Sequence, residues 1–545
     1  MAGPAVRVRF APSPTGYFHV GSARTALFNW LFARQQDGVL VLRIEDTDAE
    51  RNREEWVDGI LSAMSWLGMD PDEGPYRQSE RSALYESAVD TLWERGHLYA
   101  CDCSRDDVEE RTRGNPTPGY DGHCRERGLS RTDGGTPLAL RFRVPDDGVT
   151  VVHDVIRGEV SFPRGSLEDF VVVKSSGQPL FVLANVVDDR DMAITHVIRG
   201  EDLLPTTPKA ILLWEALDEG GPAVPLPVFA HLPMLVNEQR KKLSKRRDPV
   251  AVESYRAQGY LPEAFCNYLA LLGWSPPGDD EKVPIEVLVR EFRLEAVHHA
   301  PAFFDVKKLT HLNGEYIREL PVAEFVRACR PWVAPAAGVG GPVAAGVGEP
   351  VAADVGEPVA ADAGGPVAAG VGGPVAAGED ELRAESIPGP PWPAEKFDPG
   401  VFESIAPLVQ ERVATLAEVP AMVDFLFLAD PVVDEGSWEK AIRRDGGALE
   451  VLDGAVAAYS AIPADQWSAE EIRAATEALG AAMDRKLSKT QAPVRVAVTG
   501  RTVGPPLFES LALLGRDEVI RRLELARAHA SAHASAHTDE DLAES

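Results

Sequence analysis

Val6-Arg-Val-Arg-Phe-Ala-Pro-Ser-Pro-Thr-Gly-Tyr-Phe-His-Val-Gly-Ser22 decides the fold. Its first five residues alternate apolar and basic, the period of a half-covered strand. Pro12, Pro14 and Gly16 then interrupt the alternation with a turn. From about Ser22 to Gln35 apolar residues return at helical spacing, Leu27, Trp30 and Leu31 among them. Val39-Leu-Val-Leu-Arg-Ile44 reads as a second strand. Strand, turn, helix and strand at this spacing form a βαβ unit, which implies an α/β fold on a parallel sheet. Ligands of such sheets sit at the carboxyl ends of the strands, here Ala11–Ser22 and Glu45–Asp48.

Working outward, the chain of 545 residues is too long for one core. The pattern divides it into a first catalytic half at 1–84, an insertion at 85–190 and a second catalytic half at 191–247. A helical stretch at 248–332 follows. Between 333 and 380 the unit Pro-Val-Ala-Ala recurs every eight residues, at Pro342, Pro350, Pro358, Pro366 and Pro374. A segment made mainly of Gly, Pro, Ala and Val cannot bury enough surface to offset its ordering entropy, so a flexible tether is expected. A helical domain at 381–528 and a disordered tail at 529–545 complete the division. No apolar run is long enough to span a membrane, and the N-terminus has no signal-peptide pattern. A cytoplasmic location is therefore expected. The net charge of −30 argues against a wholly basic nucleic-acid binder, yet Arg240-Lys-Lys-Leu-Ser-Lys-Arg-Arg247 is a dense local basic run.

Two stretches carry chemistry. His19 precedes a helix whose free N–H groups and dipole favour an anion, and Gly16 and Gly21 let a bound phosphate approach the backbone. Much later, Lys242-Leu-Ser-Lys-Arg246 offers two ammonium groups flanking Ser244 that can reach the same phosphates. Such groups stabilise charge on a leaving pyrophosphate without a covalent intermediate. No Gly-Lys dipeptide, G-x-S-x-G or H-E-x-x-H occurs, so the P-loop, hydrolase and metalloprotease readings lack support.

His19-Val-Gly-Ser22 and Lys242-Leu-Ser-Lys-Arg246 resemble the two signatures of class I aminoacyl-tRNA synthetases. Arg9-Phe-Ala-Pro-Ser-Pro-Thr-Gly16, Arg43-Ile-Glu-Asp-Thr-Asp48, Leu183-Ala-Asn-Val-Val-Asp-Asp189 and Val197-Ile-Arg-Gly-Glu-Asp202 narrow the resemblance to the glutamate/glutamine subclass of bacterial type. The resemblance implies a Rossmann-type catalytic sheet, an inserted α+β module for the acceptor stem, and all-α stem-contact and anticodon-binding domains. It implies that ATP, with Mg²⁺, lies over Pro12, Thr15, Gly16, His19, Gly21 and Lys245, with His19, Gly21, Ser22, Lys242, Ser244 and Lys245 as catalytic residues. It implies an L-glutamate pocket of Arg9, Ala11, Ser13, Glu45, Phe181, Asn185 and Arg199. Two carboxylates and one ammonium need two cationic partners and one anionic partner, which Arg9, Arg199 and Glu45 can supply. Arg9 suits the side-chain carboxylate, because a planar guanidinium makes bidentate contacts, and that contact disfavours glutamine. Taken singly, Arg9 and Arg43 could instead be solvated strand residues, and Asp46 and Asp48 helix caps.

The family usually has a tyrosine where Phe181 stands, and the missing hydroxyl removes a hydrogen bond worth about 0.5–1.5 kcal/mol. Cys101, Cys103 and Cys124 resemble a zinc site found in part of the family, with Tyr120, His123 or Glu126 as the fourth ligand. Arg412 marks the region that would read an anticodon. The expected partners are tRNA-Glu, with tRNA-Gln left open, and L-glutamate; no membrane is expected, and the chain is expected to be a monomer. Two alternatives stand beside this one. One is an impaired paralogue that regulates by binding tRNA, with Phe181 as its support. The other is a relative of the glutamyl-queuosine enzymes, which lack the C-terminal helical domain. Lys486-Leu-Ser-Lys489 repeats the signature lettering but receives no catalytic role.

Overall fold

The structure is a computed structural model. It describes residues 5–48, 50–114, 119–221, 223–243, 250–278, 280–334 and 387–543, with side chains as far as residue 531. Contacts divide the chain into two units, Met1–Tyr316 and Ile317–Ser545. The division falls inside a helix, Val306–Glu319, within the 248–332 stretch.

In the first unit β1 (Arg7–Phe10), α1 (Val20–Gln35), β2 (Val39–Ile44), α2 (Glu54–Trp66) and β3 (Glu73–Arg77) form two consecutive βαβ steps. The helix α3 (Ser82–Glu94) leads out of the sheet to β4 (Leu98–Cys101) and α4 (Arg105–Thr112). Then come β5 (Ala139–Phe142), β6 (Val149–Asp154), β7 (Gly158–Pro163) and β8 (Val171–Val173). The chain returns through α5 (Phe181–Asp191), β9 (His196–Gly200), α6 (Thr207–Asp218) and β10 (Val228–Leu232). The main sheet has the order β3-β2-β1-β9-β10-β6-β7, parallel except for the antiparallel β6–β7 edge.

Leu40, Val41, Leu42 and Ile44 are fully buried, as strands covered on both faces must be. The helix α1 begins at Val20, two residues before the expected Ser22, because His19 serves as its N-cap. Leu27 and Leu31, one turn apart on α1, enter the core that covers the sheet. A separate three-stranded antiparallel sheet, β8-β5-β4, carries its own core of Leu98, Phe142, Phe170 and Val172. The 85–190 segment therefore contributes to two sheets, since β6 and β7 pair onto the main one.

The second unit is helical, from Val322–Val333 and Pro399–Gln410 to Arg516–Ala543. Arg522, almost fully buried, donates to the carbonyls of Phe425, Val498 and Leu428 at 2.9 Å each and so satisfies groups at helix ends. The last helix corrects the expected tail: its backbone continues past residue 528 to Ala543. Alternate alanines from Ala528 favour propagation of a helix that is already formed. The repeat tether falls almost wholly outside the described residues. Among the described residues no helix is long and apolar enough to cross a membrane. Leu27→Ala should cost about 2–5 kcal/mol through the cavity it leaves, read as a lower urea midpoint for the first unit.

Candidate active site

The sheet order reverses between β1 and β9, and a cavity of about 580 Å³ opens at the carboxyl ends of these two strands. It brings together Arg9, Ala11, Ser13, Glu45, Phe181, Asn185 and Arg199 with Pro12, Thr15, Gly16, His19, Gly21, Ser22 and Lys242. The first signature and the opening residues of the second, Lys242 and Leu243, thus share one cleft, and backbone pairing explains why. The Val20 N–H donates to the Val250 carbonyl at 2.8 Å, and the Val252 N–H to the Phe18 carbonyl at 2.9 Å. On the other side of the second signature, the Leu243 N–H donates to the Leu235 carbonyl at 3.2 Å. Ser244 and Lys245 lie outside the described residues. Lys242 is exposed, with its Nζ 3.2 Å from Asp202 Oδ2.

His19 Nδ1 accepts from the Ser22 N–H at 3.2 Å, which leaves the proton on Nε2, 3.0 Å from Ser22 Oγ. No acidic residue occupies the first turn of α1, so its positive end faces the cavity uncompensated. A Cβ at Gly21 would stand 3.1 Å from the imidazole Nδ1, tight enough that the ring would have to give by a few tenths of an ångström. Glycine there lets the ring lie against the helix end.

The amino-acid end of the cavity is a buried charge network. Arg43 is fully buried and donates to Asp189 Oδ1 at 2.7 Å and to the side-chain oxygen of Asn185. Glu45 lies 3.5 Å and Asp188 3.6 Å from the same guanidinium. Burial opposes the charge on Arg43, but Asp189, Glu45 and Asp188 outweigh it and raise its pKa. Arg9 donates to Asp189 at 3.1 Å. Burial likewise opposes the Asp189 charge, and Arg9 and Arg43 overcome it and hold the carboxyl below its ordinary range. Asp188 is matched separately, by Arg81 at 2.7 Å, Gln78 at 2.8 Å and the Tyr85 hydroxyl at 2.9 Å. Burial raises the Glu45 pKa, with Arg43 and Arg9 acting against it.

Arg199 differs from its neighbours. It donates to Thr207 Oγ1 at 2.8 Å, to His231 Nε2 at 3.2 Å and to the Leu203 carbonyl at 3.3 Å, all neutral acceptors. Burial, with the like charge of Arg9, pushes its pKa down to about 10, so it remains a cation at neutral pH. At the amino-acid end of the cavity the guanidiniums of Arg9, Arg43 and Arg199 face the carboxylates of Glu45 and Asp189, leaving one positive charge for a ligand.

The solvated reading of Arg9 and Arg43 is excluded, since both are buried. Asp46 is not a helix cap: it accepts from the Ser79 N–H and hydroxyl at 2.8 and 2.7 Å. Arg43, Asp188 and Asp189 do not line the cavity but hold the residues that do, and the sequence reading gave them no role. Asn185, Asp188 and Asp189 share one face of α5, and that i, i+3, i+4 spacing was the available signal.

Away from this cavity, the thiol sulfurs of Cys101, Cys103 and Cys124 lie within 4.8 Å of one another and could hold a metal ion. The sulfurs of Cys103 and Cys124 are 3.4 Å apart, and a tetrahedral zinc with bonds of about 2.3 Å needs thiolates roughly 3.8 Å apart. The Tyr120 hydroxyl is 3.7 Å from Cys101 Sγ, whereas Glu126 is paired with Arg143 at 2.5 Å and His123 is exposed. Arg412 is exposed just beyond the helix Pro399–Gln410 in the second unit.

Two family models match the chain: "tRNA synthetases class I (E and Q), catalytic domain" over residues 5–311 and "Anticodon binding domain" over residues 383–527. The glutamate–tRNA ligase of Salinispora arenicola is 52% identical over 524 residues, covering 96% of this chain and 99% of its own. That of Thermobifida fusca is 51% identical over 531 residues, covering 96% and 98%. The crystal structure of a glutamate tRNA ligase from Elizabethkingia meningosepticum in complex with its amino acid superposes with a TM-score of 0.73 at 28% identity. That match covers 96% of this chain and 99% of the other.

Removing the shared acceptor of the network should unfold it locally. Asp189→Ala, which leaves Arg9 and Arg43 short of a counter-charge, is expected to cost about 3–5 kcal/mol, seen as a lowered thermal midpoint.

Proposed function

The chain belongs to the class I tRNA synthetases of the glutamate and glutamine subclass, among the glutamate–tRNA ligases, and on that premise we infer what its residues do. It activates L-glutamate with ATP and esterifies it to the 3′-terminal adenosine of tRNA-Glu. One observation carries this reading: a single cavity joins a buried pocket with one surplus positive charge to the amino end of α1. Glutamate has a net charge of about −1 at neutral pH and matches that surplus.

Arg9 takes the side-chain carboxylate, Glu45 the ammonium, and Arg199 the α-carboxylate. Ala11, Ser13, Phe181 and Asn185 complete the walls of the pocket. The triphosphate lies against Pro12, Thr15, Gly16, His19 and Gly21, where the positive end of α1 and the imidazole of His19 meet its oxygens. Mg²⁺ bound with the triphosphate would lower its charge. An oxygen of the α-carboxylate attacks the α-phosphorus, and the bond to the β-phosphate breaks. Lys242 and Lys245 stabilise the charge on the departing pyrophosphate. A ribose hydroxyl of the tRNA then attacks the glutamyl carbonyl, and AMP leaves. Activation depends on bound tRNA, an induced-fit arrangement.

The module at 85–190 holds the acceptor end, and the 248–332 helices contact the inner corner of the tRNA. The helical domain at 381–528 reads the unpaired anticodon, with Arg412 in that region. Cys101, Cys103 and Cys124, with Tyr120 as the fourth ligand, would hold a structural zinc, which would cross-link the two ends of that loop-rich segment. The reaction takes place in the cytoplasm.

In tRNA-dependent ATP–pyrophosphate exchange, Lys245→Ala should lower the activation rate with little change in tRNA affinity, and Arg9→Ala should raise the glutamate KM strongly. Wild-type kinetics from both variants would overturn the site assignment. Metal analysis should find about one zinc per chain, lost in Cys124→Ser; a clearly substoichiometric wild type would remove the zinc.

A further inference from the structure

His231 stands beside Arg199 in the β9–β10 register, and its side chain has no contact with solvent. Its Nδ1 is 2.6 Å from Asp154 Oδ2, on the neighbouring strand β6. The other oxygen of Asp154 accepts from the backbone N–H groups of Ile156 at 3.0 Å and Arg157 at 2.7 Å, so the carboxylate cannot swing away. On the far side of the ring, Nε2 faces Arg199 Nε at 3.2 Å and Thr207 Oγ1 at 3.0 Å. A guanidinium can only donate. The Nε2 atom must therefore present its lone pair, and the ring proton must sit on Nδ1, where Asp154 accepts it.

We propose that His231 is a positioning residue for glutamate: fixed by Asp154, its Nε2 lone pair orients the Arg199 guanidinium toward the substrate carboxylate. This rests on the reading of Arg199 given above. Neither His231 nor Asp154 lines the cavity, so their effect passes through Arg199, which does. The same arrangement makes the pocket sensitive to acid. A protonated ring would set N–H against N–H and place a second cation beside Arg199. The charged groups that face the imidazole are Asp154 from β6, Arg199 from β9 and, further off, Arg9 from β1, while α6 contributes the neutral Thr207. Burial, aided by the Arg199 charge and opposed by Asp154, lowers the pKa of His231 below its ordinary value. The neutral form therefore prevails at physiological pH and is lost as pH falls through that lowered pKa. The carboxylates of glutamate have ordinary pKa values of about 4.3 or lower and so remain charged above about pH 5.5.

The test uses the full-length protein in tRNA-dependent exchange, with the KM for glutamate and for ATP followed between about pH 5.5 and 8. The wild-type glutamate KM should rise toward acid. His231→Gln can still offer an oxygen to Arg199 but cannot titrate, so its acid rise should shrink to the share contributed by Glu45, common to both proteins. His231→Leu, with no acceptor, should raise the glutamate KM roughly tenfold at about pH 8 and leave the ATP KM within about twofold. An acid limb in His231→Gln identical to the wild type would overturn the proposal, as would an unchanged glutamate KM in His231→Leu. If the leucine variant fails to fold, the glutamine profile alone decides. Arg199→Gln separates the two levels: an unchanged glutamate KM there removes Arg199 from the pocket. A raised KM there, with both His231 variants behaving as wild type, removes only the positioning role.

Discussion

Arg43 is a guanidinium with no access to water, and the amino-acid pocket is arranged around the cost of keeping its charge there. A buried cation of this size is tolerated only with matched carboxylates and most N–H groups satisfied. Asp189, Glu45 and Asp188 supply the charge, and Asp189 and Asn185 accept from the two terminal nitrogens, while Nε stays 3.6 Å from Asp188 without a hydrogen-bond partner among the described residues. This fixes the orientation of α5 against the sheet, and with it the positions of Phe181 and Asn185 at the cavity wall. It also sets the electrostatics. Asp189 is shared between Arg43 and Arg9, so Arg9 has no carboxylate to itself, and Arg199 has only neutral acceptors. The surplus positive charge follows from the way the network is wired.

The nucleotide end depends on a different constraint. Nothing in the local pattern of residues 18–20 foretells their pairing with residues 250–252, yet that pairing closes the cleft beside the second signature. The glycine at 21 then allows the His19 ring to lie over the first turn of α1. Chain segments far apart in sequence thus meet at one helix end, where a polyphosphate can be held. The basic run from Arg240 to Lys242 is exposed here, which reconciles a net charge of −30 with an anionic substrate.

Much of this was legible in the sequence because the decisive signals are local. Alternation at Val6–Phe10, the prolines at 12 and 14 and the apolar run at 39–44 place β1, the turn and β2 without reference to the rest of the chain. Motif matches brought the pocket residues onto one list, and the cavity gathers them. What escaped was long-range. The strands β6 and β7 look like part of an inserted module because sequence order places them there, while their hydrogen bonds run to the main sheet. Arg43 looked like one of an alternating pair because exposure is set by the helices that cover the sheet, which a strand pattern does not record. The final helix ran on because alanines extend a helix begun by tertiary packing upstream.

The central claim is that selection of the amino acid is a matter of charge balance. The direct measurement is kcat/KM for glutamate against glutamine in tRNA-dependent activation. A neutral amide would leave one buried cation uncompensated, so the account predicts a preference for glutamate of about a hundredfold or more. Comparable values for the two amino acids would contradict it.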